Sequence, residues 1–138
     1  ELDYHIVDFP PGTGDVQISM SQKLKLDGTL IVTTPQLLSL KDVIRGINMF
    51  IKVGVPILGV VENMSFLEEN NQKKFIFGES KTKSILLKEN INLIEELPFN
   101  LNIPKSCDEG KPYCFDYKDD YSKQFENIAI SITNKFKN

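Results

Sequence analysis

The segment from Asp3 to Asp15, D-Y-H-I-V-D-F-P-P-G-T-G-D, constrains the fold more than any other part of this 138-residue chain. Its apolar residues predict a strand over Tyr4–Val7 that ends on an acid, Asp8. Two prolines and two glycines come within the next six residues. They end the strand, because proline lacks the amide hydrogen that a ladder needs. An acid at the carboxyl end of a strand lies where open α/β sheets bind ligands, so the segment predicts the start of a ligand site.

Apolar strands alternate with amphipathic helices along the rest of the chain, a pattern typical of a parallel sheet with helices on its faces. We predict strands over 4–7, 29–33, 57–61 and 92–97, and helices over 16–26, 39–53, 79–90 and 120–137. The predicted fold class is therefore α/β, a doubly wound, mainly parallel sheet in a three-layer α/β/α arrangement.

Local signals add caps and loops to this outline. Asp15 and Ser39 are the predicted N-caps of the first two helices. The polar stretch 68–74 is predicted to be a flexible loop, and 100–118 a loop with room for one short helix. The last helix carries an apolar stripe, which favours docking on the sheet over a membrane-surface role.

Composition excludes several classes of protein. The chain is 41% hydrophobic and 25% charged, which is typical of a soluble globular domain. A net charge of −3 gives no field that favours nucleic acid. No apolar run is long enough to span a membrane and no signal peptide is visible, so no membrane partner is expected and the predicted compartment is the cytoplasm. A targeting segment upstream of Glu1 stays open.

The chemistry that Asp8 and the Gly/Pro loop indicate is that of a nucleotide site. P-loop NTPases use an acid after a strand to hold Mg²⁺ and a backbone N–H of the next loop to meet the γ-phosphate. We interpret Asp8 as that acid, acting through water because Mg²⁺ gives up its hydration shell reluctantly. Gly12 is the predicted γ-phosphate contact, because it has no side chain to block close approach. A turn or capping role is the alternative for Asp8.

Residues after the other predicted strands lie at the same edge. Asn63 can bond a purine with both its amide N–H and its C=O, or it can simply form an Asx turn. Pro98 and Phe99 can flank a base, or they can end the strand and fill the core. The segment 34–36, T-P-Q, reads equally well as a turn.

The sequence gives little support to the remaining candidate metal ligands, two cysteines and one histidine. Cys107 and Cys114 are separated by six residues, a spacing that favours two unrelated thiols over a metal-binding loop. His5 lies within a predicted strand and is not expected to act as a ligand or a base.

Three stretches together resemble a known family: 3–17 (D-Y-H-I-V-D-F-P-P-G-T-G-D-V-Q), 33–36 (T-T-P-Q) and 59–65 (G-V-V-E-N-M-S). They resemble the Mrp/ApbC-type ATPases, which belong to the MinD/ParA branch of P-loop NTPases and carry iron–sulfur clusters to apoproteins. The resemblance is close over the first half of the chain and holds in outline over the rest.

The resemblance implies an ATP-binding homodimer, with Mg-ATP as cofactor and apo iron–sulfur proteins or scaffold proteins as partners. It implies Asp8 as the acid of the Mg²⁺ site, Gly12 as the γ-phosphate sensor, and Asn63 with Pro98 and Phe99 at the adenine. The phosphate-binding sequence G-x-x-x-x-G-K-[ST] does not occur in the chain. Residues 1–138 are therefore expected to be the C-terminal part of a P-loop NTPase domain, with the phosphate loop upstream of Glu1.

The chain departs from the family where the cluster is expected. Family members commonly carry C-x-x-C a few residues after V-E-N-M-S, and these cysteines bridge a [4Fe–4S] cluster in the dimer. The corresponding positions hold Glu69 and Gln72, which supply no thiolate, so no iron–sulfur ligand is identified. A Gly-rich turn usual after Phe77 and Gly78 is replaced by residues 79–83, E-S-K-T-K.

These residues support three hypotheses about function. The first is an ATP-hydrolysing iron–sulfur cluster carrier, the second a MinD/ParA-like regulatory switch without a cluster, and the third a non-catalytic remnant. The intact protein is expected to be an ATPase under the first two hypotheses. The 138 residues alone are expected to be inactive, because the lysine that neutralises the β- and γ-phosphates is absent.

Overall fold

The computed structural model describes residues 2–10, 14–70 and 72–137. The strands are β1 (Thr29–Thr33), β2 (Ile57–Glu62), β3 (Leu67–Glu69), β4 (Gln72–Lys74) and β5 (Leu93–Glu96). The helices are α1 (Asp15–Lys23), α2 (Leu37–Lys52), α3 (Thr82–Lys88), α4 (Asn102–Asp108), α5 (Tyr113–Asp116) and α6 (Asp120–Thr133). β1, β2 and β5 form a parallel sheet in the order β1–β2–β5, and β3 pairs with β4 in an antiparallel hairpin.

Helices cover both faces of the parallel sheet. Successive side chains of a strand point to opposite faces of the sheet. Val60 and Val61 of β2 therefore belong to two different clusters of the core. Val60 packs with Ile47 of α2 and Leu86 of α3. Val61 packs on the other face with Ile128 of α6. The predicted α/β fold with three layers is confirmed.

The predicted strand over residues 4–7 is wrong. Residues 4–10 have no regular secondary structure, and the side chain of Ile6 is 90% exposed. A strand needs a ladder partner, and within the described ranges no strand pairs with this segment. The segment is held instead by side chains, since the ring of Phe9 packs edge-on against Phe50 of α2 with 6.0 Å between centroids.

The other predicted elements exist, with shifted ends. The strand predicted at 29–33 is confirmed, that at 57–61 extends to Glu62, and that at 92–97 covers Leu93–Glu96. The helices predicted at 16–26, 39–53, 79–90 and 120–137 cover Asp15–Lys23, Leu37–Lys52, Thr82–Lys88 and Asp120–Thr133. Apolar periodicity locates the centre of a helix better than its ends, where the backbone hydrogen bonds run out.

Both predicted N-caps are wrong by position. Gly14 caps α1, so Asp15 is its first helical residue, where a carboxylate still interacts favourably with the helix dipole. Gln36 caps α2, and Ser39 lies within the first turn. Residue type indicates that a helix begins nearby, but the position of the cap depends on where the preceding chain turns.

The two predicted loops contain regular structure. Within the stretch 68–74, predicted to be flexible, residues 68–69 belong to β3 and residues 72–74 to β4, and Glu68 pairs with Lys73 across the hairpin. Opposite charges across an antiparallel pair stabilise it, and Asn70 adopts the left-handed conformation, with φ of 53°, that tight hairpin turns require. The stretch 100–118 holds two short helices, α4 and α5. None of the helices in the described parts of the chain is long and apolar enough to cross a membrane.

β2 and β5 pack closely at Gly59, which leaves no room there for a side chain. The φ of Gly59 is 150°, and a Cβ there would lie 2.6 Å from Cδ1 of Ile94. We expect Gly59→Ala to lower the free energy of unfolding by about 1–3 kcal/mol, because Ile94 or the backbone must move.

Gly46 of α2 provides the matched control, since nothing lies within 4 Å of its missing Cβ. Gly46→Ala is expected to stabilise the protein by about 0.5–1 kcal/mol, because alanine loses less backbone entropy in a helix. Urea unfolding of both variants and the parent protein measures these differences. Unchanged stability of Gly59→Ala would contradict the close contact with Ile94.

Candidate functional site

The carboxyl ends of β1, β2 and β5 are tied to one another by backbone hydrogen bonds. The N–H of Asn63 donates to the carbonyl oxygen of Thr33 at 2.7 Å, which joins the end of β2 to β1. The N–H of Leu97 donates to the carbonyl of Glu62 at 2.8 Å, and the N–H of Ser65 to the carbonyl of Leu97 at 2.9 Å. The three strand ends therefore form one continuous edge, as expected for parallel strands.

Asn63 is half-buried at the centre of this edge. Its Oδ1 accepts the N–H of Met64 at 2.9 Å, and Met64 has a φ of 57°. A turn follows β2 at residues 63–64, but this bond reaches only the next amide, whereas the Asx turn that was the alternative interpretation needs a bond two residues on. The Nδ2 group takes no part in the bond to Met64, and Oδ1 has a second lone pair, so the side chain keeps the donor and the acceptor that a purine edge requires.

Pro98 and Phe99 follow Leu97 at the same edge and are half-buried. The N–H of Phe99 donates to the carbonyl of Phe66 at 2.7 Å. Its ring lies 5.7 Å from that of Phe77, at an interplanar angle of 43°. Phe99 is therefore not a fully buried core aromatic, and its ring sits where the segment after β5 meets the segment after β4.

The segment 34–36 forms a small polar network after β1. The hydroxyl of Thr34 donates to Oε1 of Gln36 at 2.6 Å and lies 2.8 Å from the hydroxyl of Ser39. The polar side chains of this turn thus find hydrogen-bond partners near one another, as expected for a simple turn.

Asp8 lies in the segment without regular structure and is exposed. Gln17 of α1 donates from Nε2 to the carbonyl of Pro10 at 3.0 Å, which anchors the segment beside α1. Gly12 lies outside the described residues. His5 is exposed and does not lie in a strand. The metal role of Asp8 and the phosphate role of Gly12 stay predictions.

The hairpin occupies the place where the resemblance predicts a cluster. Glu69 and Gln72 are direct cross-strand partners at its tip, and the carboxylate of Glu69 pairs with the ammonium group of Lys74. In the described residues, no group of three or more His, Cys, Asp or Glu side chains is placed to hold a metal ion.

The two cysteines do not substitute for the missing ligands. Cys107 of α4 and Cys114 of α5 are both free thiols. Burial raises the pKa of the Cys114 thiol, which disfavours the thiolate form that binds iron.

Glu62 is the site residue that reasoning from the sequence missed. It is the last residue of β2, its exposure is 0%, and hydroxyl groups of Ser65, Ser80 and Thr82 contact its carboxylate. The available signal was an acid ending an otherwise apolar strand, with a serine three residues later. Ser80 and Thr82 belong to the segment that replaces the Gly-rich turn.

The family described as ParA, NUBPL iron-transfer P-loop NTPase, matches residues 1–133. The chain belongs to this family. The family-level resemblance and the α/β fold inferred from the sequence are thereby confirmed, and the joined strand ends lie where P-loop NTPase sheets bind ligands.

Curated relatives of this NUBPL-family chain are named for iron–sulfur chemistry. The "Iron-sulfur protein required for NADH dehydrogenase, mitochondrial" of Arabidopsis thaliana is 44% identical over 140 residues, which is 99% of this chain and 45% of the relative. The "Iron-sulfur cluster transfer protein NUBPL" of Dictyostelium discoideum is 42% identical over 134 residues, 95% of this chain and 42% of the relative. The chain thus spans less than half the length of either relative.

A solved structure shares the fold. It is the nucleotide-binding protein of Archaeoglobus fulgidus in complex with ADP, which superimposes with a TM-score of 0.71 at 38% sequence identity. The match covers 80% of this chain and 46% of the archaeal one.

Proposed function

We propose that the protein is an ATP-binding and ATP-hydrolysing carrier that delivers iron–sulfur clusters to apoproteins, working as a homodimer. Family membership over residues 1–133 and the names of the relatives support a role in iron–sulfur assembly. The ADP complex of the archaeal neighbour supports nucleotide binding. The observation that carries the proposal is the joined edge of β1, β2 and β5, because Asn63 follows β2 and Pro98 and Phe99 follow β5 at that edge.

We assign one part of the nucleotide to each residue at the edge, and the magnesium ion and the γ-phosphate to Asp8 and Gly12 of the N-terminal segment. Asn63 binds the purine through the N–H and C=O of its amide, and the ring of Phe99 packs against the base beside Pro98. Asp8 holds a water of the Mg²⁺ shell, and an exposed carboxylate suits an ion that keeps several waters and takes few protein ligands. Mg²⁺, when bound, neutralises the charge that develops on the phosphates. Gly12 presents its N–H to the γ-phosphate.

Asp8→Asn tests the assignment of the Mg²⁺-site acid. In the longest protein that the gene encodes, we expect the variant to lose about 10- to 100-fold in Mg²⁺-dependent ATP turnover, the usual effect of removing a group that orients a metal's shell. Asp3→Asn is the matched control, because Asp3 is exposed in the same segment. Phosphate release at several Mg²⁺ concentrations measures the effect, and equal turnover of the two variants would contradict the assignment.

The 138 residues by themselves are expected to release no phosphate from ATP. They lack the lysine that neutralises the β- and γ-phosphates. The same phosphate assay, run on this chain and on the longest encoded protein, compares the two directly. Measurable turnover by the shorter chain would overturn this expectation, and inactivity of both would favour a non-catalytic remnant.

A cluster-free regulatory ATPase is the second candidate, and the hairpin favours it. Glu69 and Gln72 pair with each other where the cluster cysteines are expected, and Glu69 also pairs with Lys74. The residues of the hairpin do not fit a cluster, since carboxylate and amide groups are not the thiolates that iron–sulfur ligation uses. The carrier function therefore requires ligands elsewhere in the whole protein.

Iron and sulfide content after anaerobic reconstitution decides between the two candidates. A carrier is expected to hold iron in stoichiometric amount in the longest encoded protein, and a switch none. The double variant Glu69→Cys with Gln72→Cys restores the cysteine spacing and serves as the comparison. Iron gained only by the double variant would identify the parent protein as a switch, and equal iron in both proteins would place the cluster away from the hairpin.

The cytoplasm remains the compartment predicted from composition. The relative from Arabidopsis thaliana carries the word mitochondrial in its name, which makes the mitochondrion the alternative. Fractionation of cells that express the protein distinguishes the two.

A further inference from the structure

Glu62 is a fully buried carboxylate that the proposed nucleotide chemistry does not use. Its exposure is 0%, like that of Val60 two residues earlier on β2. Because side chains two apart on a strand share a face, Glu62 points to the side of the sheet that α2 and α3 cover. Burial of an acid is strongly unfavourable unless hydrogen bonds replace the water that it loses.

Three hydroxyl groups supply those hydrogen bonds. Ser65 donates from Oγ to Oε1 of Glu62 at 2.8 Å, while the hydroxyls of Ser80 and Thr82 both contact Oε2. Ser65 is 3% exposed and Thr82 0%, so water does not compete for these bonds. In the described parts of the chain, every buried side-chain nitrogen and oxygen has a hydrogen-bond partner. We call Glu62, Ser65, Ser80 and Thr82 the clasp.

The clasp joins two places that are far apart in sequence. Ser65 comes just after the turn at Asn63, and Thr82 begins α3. The stretch between them, 66–79, leaves the sheet, contains β3 and β4, and returns to the same carboxylate. The hydroxyl of Ser80 also accepts the N–H of Thr82 at 3.1 Å, which fixes the start of α3 within the same network.

The rest of the stretch is weakly held. The paired residues of β3 and β4 are mostly exposed, and Phe75 and Phe77 are 47% and 38% exposed. Among the described residues, only Phe66 is buried within 66–79. The orientation of the hairpin therefore depends on how its two ends are anchored and on two ring contacts, Phe75 with Phe66 at 6.4 Å and Phe77 with Phe99 at 5.7 Å between centroids.

We propose that Glu62 is a positioning residue whose carboxylate closes the 66–79 stretch at both ends and thereby fixes the hairpin relative to the turn at Asn63. The role does not depend on whether the hairpin serves a cluster carrier or a cluster-free switch. This positioning role requires two acceptor oxygens, one for the Ser65 hydroxyl and one for the hydroxyls of Ser80 and Thr82. The carboxylate of glutamate has two such oxygens, whereas the amide of glutamine has only one.

Amide hydrogen exchange of the 138-residue chain tests the proposal. Glu62→Gln and Ser80→Ala are each expected to speed exchange of the β3 and β4 amides about 10-fold, because each leaves part of the clasp unpaired. Exchange in β1 and α2 is expected to stay unchanged. Ser84→Ala is the matched control, since the Ser84 hydroxyl donates to the carbonyl of Lys81 at 2.8 Å on the exposed side of α3.

Replacing the polar side chains of the clasp by apolar ones distinguishes a positioning role of Glu62 from a role in filling the core. The triple variant Glu62→Met, Ser80→Ala and Thr82→Val removes three of the four polar side chains of the clasp while nearly preserving volume. The hydroxyl of Ser65 keeps its hydrogen bond to the backbone carbonyl of residue 62 at 3.1 Å, so the thermal midpoint is expected to return close to that of the parent. Exchange in β3 and β4 is expected to remain fast, because no hydrogen bond closes the stretch.

Three results would overturn the proposal: unchanged hairpin exchange in Glu62→Gln and Ser80→Ala, equally faster exchange throughout the chain, or slow hairpin exchange in the triple variant. If Glu62→Gln does not fold, Ser80→Ala carries the test, because Ser80 is only half-buried.

Discussion

The pairing of β2 with parallel strands on both sides is the constraint on which the rest of the structure depends. β2 is buried along nearly its whole length, with Val60 and Val61 facing opposite helical layers. A strand in this position has no solvent-facing side, so its sequence is a continuous apolar run rather than an alternation. The same pairing brings the end of β2 between the ends of β1 and β5, and the residues just beyond those ends form the candidate site.

The elements that were predicted correctly are those whose signal is local. β1 and β2 are short apolar runs and α2 has a long amphipathic period, so the signal for each element lies within its own residues. Residues 4–7 carry the same kind of apolar run and yet form no strand. Pairing is a property of two segments, and an apolar pattern in one of them does not reveal whether a partner is present.

The candidate site was predictable to a similar extent. The carboxyl ends of β1, β2 and β5 share an edge, as parallel strands predict, whereas the nucleotide roles of Asn63, Pro98 and Phe99 at that edge stay predictions. The hairpin was missed because charge pairs across its strands, not apolar alternation, stabilise it. The clasp was missed because two of its three hydroxyls, those of Ser80 and Thr82, lie 18 and 20 residues beyond Glu62, a separation at which no local pattern links them.

The order of Glu62 and Asn63 along the chain explains how the hairpin and the edge at Asn63 are connected. Glu62 points inward to the start of α3, while the next residue along leaves the sheet at the edge. The backbone of Asn63 is itself fixed to Thr33 of β1, and the packed core lies directly behind. Under the positioning role proposed for Glu62, a displacement of the 66–79 stretch would act on the last peptide of β2, and the close-packed core would resist its spread further into the sheet. Glu62 is then the residue that joins the hairpin to the edge at Asn63.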